Sequence, residues 1–197
     1  MKKIILTVAA VFAFGFANAQ DKKEKSSEGF SKGDVFVTGA FTLSSDKTGD
    51  VKSNSFELEP RVAFFVTENI ALGAKVGVGS MKDKTASVTT KDMSSFTGGV
   101  FGRYYFTPAS KFSLFANLGL DFSNMKNKLS NGKVNEMSLG LGAGLNYFVS
   151  SNFSIEAGVV GLSYTSNDNG GNGADKTNTF GFGGDWRAVS FGVNYKF

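Results

Sequence analysis

The feature that most constrains this chain is a two-residue rhythm running through almost all of it after Gly33. Residues 188–197, AVSFGVNYKF, show it well: Val189, Phe191, Val193, Tyr195 and Phe197 are apolar, while Ser190, Gly192, Asn194 and Lys196 are small or polar. Side chains alternate across a β-strand, so a period of two marks a strand whose faces meet different surroundings. Val35, Val37, Gly39, Phe41 and Leu43 repeat the pattern, as do Phe56, Leu58, Val62, Phe64 and Val66 against Glu57, Glu59, Arg61, Ala63 and Phe65. Segments near 70–80, 94–106, 112–123, 134–148, 153–165 and 186–197 bring the expected strands to eight, with no helical repeat among them. Most are long enough for a tilted bilayer crossing, which takes about 9–11 residues.

The expected connections alternate in length. Thr67-Glu68-Asn69, 107–111 and 149–152 are short; 45–53, 81–92, 124–133 and 166–185 are long and rich in Asp, Asn, Ser, Gly and Lys. Short turns at one end and long polar loops at the other predict an eight-stranded antiparallel up-and-down transmembrane β-barrel, with both termini on the short-turn side. A hairpin-sized repeat supports it: Ala63-Phe64-Phe65-Val66, Arg103-Tyr104-Tyr105-Phe106, Asn146-Tyr147-Phe148-Val149 and Asn194-Tyr195-Lys196-Phe197 each end an even-numbered strand. Phe64, Tyr104, Tyr147 and Tyr195 then fall at one level, as an aromatic girdle at the headgroups would.

The polar face decides which side is greasy. It carries Glu57, Glu59, Arg61, Lys75, Arg103, Asp121, Glu136, Glu156 and Lys196, nearly balanced in sign, as expected of charges pairing in a confined interior. The opposite face holds Phe64, Leu72, Val76, Val78, Val100, Leu114, Leu118, Leu120, Leu139, Leu141, Leu145 and Ile155, too many for the inside of an eight-stranded barrel. The apolar face is therefore assigned to lipid.

Residues 1–19 read as a secretory signal peptide: Lys2 and Lys3, an apolar run from Ile4 to Phe16, then Ala17-Asn18-Ala19. A flexible periplasmic lead-in is expected over 20–32, and the barrel over 33–197. The formal charge of +4 falls to +2 without Lys2 and Lys3, which gives no case for nucleic acid.

These features, with the terminal aromatic, resemble the small outer-membrane β-barrel proteins of Gram-negative bacteria, similar to OmpX and to the membrane domain of OmpA. The resemblance implies export to the outer membrane, contact with its lipid and a monomeric barrel. It also implies that Val193, Tyr195 and Phe197 of the last strand resemble the assembly signal read by the barrel-assembly machinery. Contact with lipopolysaccharide phosphates is expected instead from the outer loops, where 45–53, 81–92, 124–133 and 166–178 carry nine lysines against six aspartates.

Chemistry-bearing motifs are few. The 197-residue chain has no cysteine and no histidine, which removes disulfides, thiol nucleophiles and imidazole bases. Glu57 and Glu59 stand two apart like an acid/base pair, but Arg61 on the same face makes an ion-pair network the expected arrangement. LGLGAGLN (139–146) lacks the Lys-Ser/Thr of a phosphate loop; its glycines are expected to face inward and make room for Phe65, Phe101 and Phe148. Asn131-Gly132 suits a type I′ turn, and SNDNGGNGAD (166–175) reads as a flexible loop rather than a calcium site. Phe180 and Phe182 are out of phase with the last strand, through either a bulge at Gly183-Gly184 or a strand that begins only at Trp186. No catalytic, cofactor or metal residue is assigned. The expected function is a non-enzymatic integral outer-membrane barrel with a filled polar interior and interacting surface loops; the alternative is a narrow porin-like channel.

Overall fold

The computed structural model describes residues 28–171, 173–183 and 190–197. The expected leader, residues 20–27, Trp186 and Val189 lie outside the described residues. Nine strand segments follow in chain order: β1 Val35–Thr48, β2 Val51–Phe65, β3 Ile70–Thr85, β4 Val88–Tyr105, β5 Phe112–Asn127, β6 Lys133–Phe148, β7 Phe153–Asn167, β8 Thr177–Gly183 and β9 Ser190–Lys196. From β1 to β7 each strand pairs antiparallel with the next. β8 and β9 share a single edge of β7, one above the other, so the wall has eight positions. β9 closes on β1 from Phe36↔Lys196 to Gly39↔Val193, and the Phe197 N–H donates to the Val35 carbonyl at 3.0 Å. The result is a closed eight-stranded antiparallel barrel.

The outward side chains measure the membrane. On β5 they run Phe112, Leu114, Ala116, Leu118, Leu120, Phe122, then Asn124 and Lys126; on β6, Tyr147, Leu145, Ala143, Leu141, Leu139, Met137, then Asn135 and Lys133. Ten residues at about 3.3 Å each, tilted about 40°, span about 25 Å, the height of the apolar band of an outer-membrane barrel. Leu118 and Val100 are more than half exposed within it. Phe64, Tyr104, Tyr147 and Tyr195 lie at its short-turn edge, where the Phe153 ring meets Tyr195 edge-on at 4.9 Å.

Three expectations change. The long loops at 45–53 and 81–92 are strand up to the tips Gly49-Asp50 and Ala86-Ser87, and the other two shrink to 128–132 and 168–176. Above the bilayer both faces of a hairpin meet water, so the alternation disappears although the ladder continues. At Ala86-Ser87 both residues take positive φ (47° and 69°), the backbone of a type I′ turn; at Asn131-Gly132 only Asn131 does (58°), so that tip is not type I′. Finally, Thr177–Gly183 is a strand paired to β7, not loop. The pairing of β7 with β9 ends at Gly158↔Ser190 and that with β8 begins at Gly161↔Gly183. The expected bulge at Gly183-Gly184 and the alternative strand start at Trp186 rest on 184–189, outside the described residues.

Candidate functional site

The inward side chains form layers. At the short-turn end an aromatic plug is centred on Phe30, 1% exposed, with its ring 4.7–5.2 Å from those of Phe36, Phe65, Tyr105 and Phe148. The 28–32 part of the expected flexible lead-in is therefore docked: the Phe30 N–H donates to the Pro108 carbonyl at 2.7 Å, and Lys196 Nζ donates to the Gly29 carbonyl. Gly29 has φ +146° and lies so close to the Ala109 backbone that a Cβ would collide with it. Glu28 pairs with Lys111 at 3.2 Å and holds that ammonium's pKa above its ordinary value.

Above the plug lies Arg103, 3% exposed. Its guanidinium grips Glu156 on β7 with both terminal nitrogens (2.6 and 3.2 Å), donates Nε to Asn117 Oδ1 at 3.1 Å, and lies over the Phe115 ring at 4.6 Å. Glu156 also accepts from Asn194 Nδ2 at 3.2 Å. Asn146 Oδ1 accepts from Ser154 Oγ at 2.8 Å and from Asn194 Nδ2 at 2.9 Å, so β6, β7 and β9 are joined inside the wall. Charge-assisted, two-pronged bonds of this kind are the strong ones, and breaking one by removing a partner costs about 3–5 kcal/mol.

A third layer holds Glu59 between Arg61 (2.6 Å) and Lys75 (3.4 Å), with Lys75 also on Asp121 at 2.8 Å. Of the eight residues read as an interior charge network, Glu59, Arg61, Lys75, Arg103, Asp121 and Glu156 form ion pairs, split between two layers. Glu57 and Glu136 do not join them. Glu57 stands at the wall of a higher cavity, and Glu136 accepts from Asn167 Nδ2 at 3.2 Å. Glu59 is committed to two cations, so it and Glu57 make no acid/base pair. Val193 and Tyr195 face outward, and the Tyr195 and Phe197 rings meet edge-on at 4.9 Å.

The glycine-rich run does make room, though for another ring. Gly144 leaves space for Phe115, whose Cζ would sit 2.5 Å from an added Cβ, while Gly140 and Gly142 have only backbone near them. In the 166–175 loop Asp168 and Asn169 turn their polar groups to the hairpin itself. Asp168 accepts from Asn135 N–H (2.8 Å) and Nδ2 (2.6 Å), which holds its carboxyl below the ordinary value, and Asn169 Nδ2 donates to Asp175 O and Thr177 Oγ1. Among the described residues no three or more Asp, Glu, His or Cys side chains gather as a metal site.

Sequence reading missed Phe30, Asn146, Ser154 and Asn194. Phe30 carried a signal: it is the one apolar side chain in residues 20–33. The others are small polar residues at inward positions, which look the same whether or not they bond to each other.

A barrel with a lipid-facing apolar band and a charged, packed lumen is a transmembrane protein of the outer-membrane kind. Over residues 6–197 the chain matches the family described as outer membrane protein beta-barrel domain, and it belongs to that family. No curated protein matches it in sequence. Among solved structures it is similar to the outer membrane protein OprG from Pseudomonas aeruginosa: 15% identity, TM-score 0.53, covering 87% of this chain and 99% of that one. Neisserial surface protein A is 18% identical at TM-score 0.47 over 83% of this chain and 96% of that one. Ail of Yersinia pestis is 15% identical at TM-score 0.45 over 84% and 100%. The family places the chain in the outer membrane.

Proposed function

We propose that the chain is a non-enzymatic outer-membrane protein whose filled barrel serves as a scaffold for its projecting hairpins, which contact the anionic envelope surface. The observation that carries the filled interior is the stacking of two closed layers. The Arg103–Glu156 bridge spans the lumen from β4 to β7, and the Phe30 cluster lies beneath it. A planar bilayer containing the refolded protein is expected to show no steady single-channel conductance. Resolved ionic steps would favour the second reading, a narrow channel, for which the supporting observation is a pair of lumen cavities of about 410 and 210 Å³.

Envelope contact rests on lysines at the outer rim. Lys47 faces Lys52, Lys52 faces Lys84, and Lys126 faces Lys133 in the ladders. Like charges opposite one another are unfavourable unless something anionic lies beside them. All five are on outward register positions, and among the described residues none has an ion pair. Lys52 is twelve residues from Phe64 along β2, about 30 Å up the wall, just past the apolar band and level with lipid phosphates. The partner of that chemistry in a Gram-negative outer leaflet is the lipopolysaccharide phosphate. Binding to purified lipopolysaccharide should weaken as salt rises. Binding unaffected by salt, or absent, would remove this part of the reading.

We also propose that Val193, Tyr195 and Phe197 serve as the assembly signal. Phe197→Ala should still refold in detergent, with its heat-dependent gel shift, yet accumulate poorly in the outer membrane of cells. Normal accumulation would leave these residues a packing role alone.

A further inference from the structure

Four methionines follow Met1, and three of them face one space. Met81 on β3, Met93 on β4 and Met125 on β5 occupy inward positions of adjacent strands and line the cavity of about 410 Å³ at the outer mouth of the lumen. Met81 is directly opposite Met93 in the ladder. Met125 is opposite Ser95 and so diagonal to Met93. Directly opposed positions stand about 4.5–5.5 Å apart and diagonal ones about 7–8 Å. Inward side chains of a barrel converge, and methionine's unbranched, flexible stem closes what remains.

Methionine in a protein interior is ordinarily an apolar gap-filler. That explanation fails here on distribution. The packed apolar part of the lumen is the plug around Phe30, and it contains no methionine. The three thioethers instead line an open cavity whose wall also carries Phe56, Ser95, Glu57 and Lys91. Met81 is 38% exposed, an apolar side chain left facing open space rather than packed against other apolar groups.

We propose that Met81, Met93 and Met125 form a thioether site for a soft monovalent cation, Cu(I) or its chemical stand-in Ag(I). Thioethers select such ions, whereas magnesium, calcium and manganese prefer the oxygen donors that surround the site. A neutral three-sulfur set keeps a single positive charge, which shares the cavity with one carboxylate, Glu57, and one ammonium, Lys91. The site needs no histidine or cysteine, the ligands this chain lacks. It lies above the apolar band, so an ion reaches it from outside without passing the Arg103 layer. This inference needs only the barrel and its lumen, and it is independent of the lipopolysaccharide reading.

The test is a titration of silver nitrate, in chloride-free buffer, into the refolded barrel carrying ¹³C-methyl methionine, followed by NMR. The methyl signals of Met81, Met93 and Met125 should shift together and saturate at one ion per barrel. Met137, which faces outward on β6, should not move. Substitution of all three by leucine keeps the apolar volume and removes sulfur. The triple variant M81L/M93L/M125L should keep the heat-dependent gel shift of the folded barrel and lose affinity by at least a hundredfold. Equal, unsaturating shifts at all four methionines would overturn the site, as would undiminished binding by the folded triple variant. If leucine substitution prevents folding, the parent barrel still decides, because Met137 is the internal control.

Discussion

The two ends of this lumen are built on opposite principles. At the short-turn end, Phe30, Phe36, Phe65, Tyr105 and Phe148 are packed ring against ring with essentially no exposure. At the outer end, Ser95, Glu57, Lys91 and three methionines line open space. Strands β1 to β7 are continuous between the two, so along them the difference comes from which residues occupy the inward positions. The closely packed and buried side chains lie below the middle of the barrel, and the upper end of the lumen is left open. A barrel held by its wall ladder alone would not need such a division.

The largest effect that separates the halves should come from Arg103→Leu, which leaves Glu156 buried and unpaired. It is expected to lower unfolding stability in detergent or lipid by about 3–5 kcal/mol. The double variant R103L/E156L should recover much of that loss, since an apolar pair is tolerated where a lone charge is not. Failure to recover would locate the cost in Arg103's contacts with Phe115 and Asn117 instead.

Phe30→Ala should follow, at about 3 kcal/mol, the low end for a buried phenylalanine. The segment can undock rather than keep a cavity, which limits the loss. Met93→Ala at the other end should change the same midpoint little, and equal losses would break the comparison.

Lys75→Met removes a cation shared by Glu59 and Asp121. A loss of about 1 kcal/mol is expected, because Arg61 still holds Glu59 and the layer lies nearer to water. Loss as large as that of Arg103→Leu would mean that packing extends one layer higher.

The smallest effect concerns pH at the outer tips. Asp168 accepts two bonds from Asn135, so its folded carboxyl titrates below the ordinary 3.8. Its contribution is complete above that value and is lost as the pH falls through the lower folded one. The Asn135 amide resonance should therefore report a midpoint below 3.8, and Asp168→Asn should abolish the titration. A midpoint at or above 3.8 would mean that the hairpin contact does not persist in solution.

The barrel was legible because lipid on one side and a polar lumen on the other impose alternation on every crossing. Where the chain leaves the bilayer that contrast ends, and so 45–53 and 81–92 read as loops although they are paired strand. Inward positions could be assigned one by one, but not their partners. Arg103 and Glu156 belong to strands three apart, and their meeting depends on the stagger of the closed wall, which no local pattern encodes. Phe30 was hidden by its neighbours, since a single ring among lysines, glutamates and serines resembles a solvated tail.

The docking of Phe30 also sets an order of events. The rings that receive it come from β1, β2, β4 and β6, which enclose a common space only after the sheet has curled and β9 has met β1. Until then the receiving site does not exist. A segment that leaves the ribosome before any strand of the barrel is thus among the last to find its place. Its arrival favours the closed cylinder over every open intermediate, and it works as a latch set from the short-turn end.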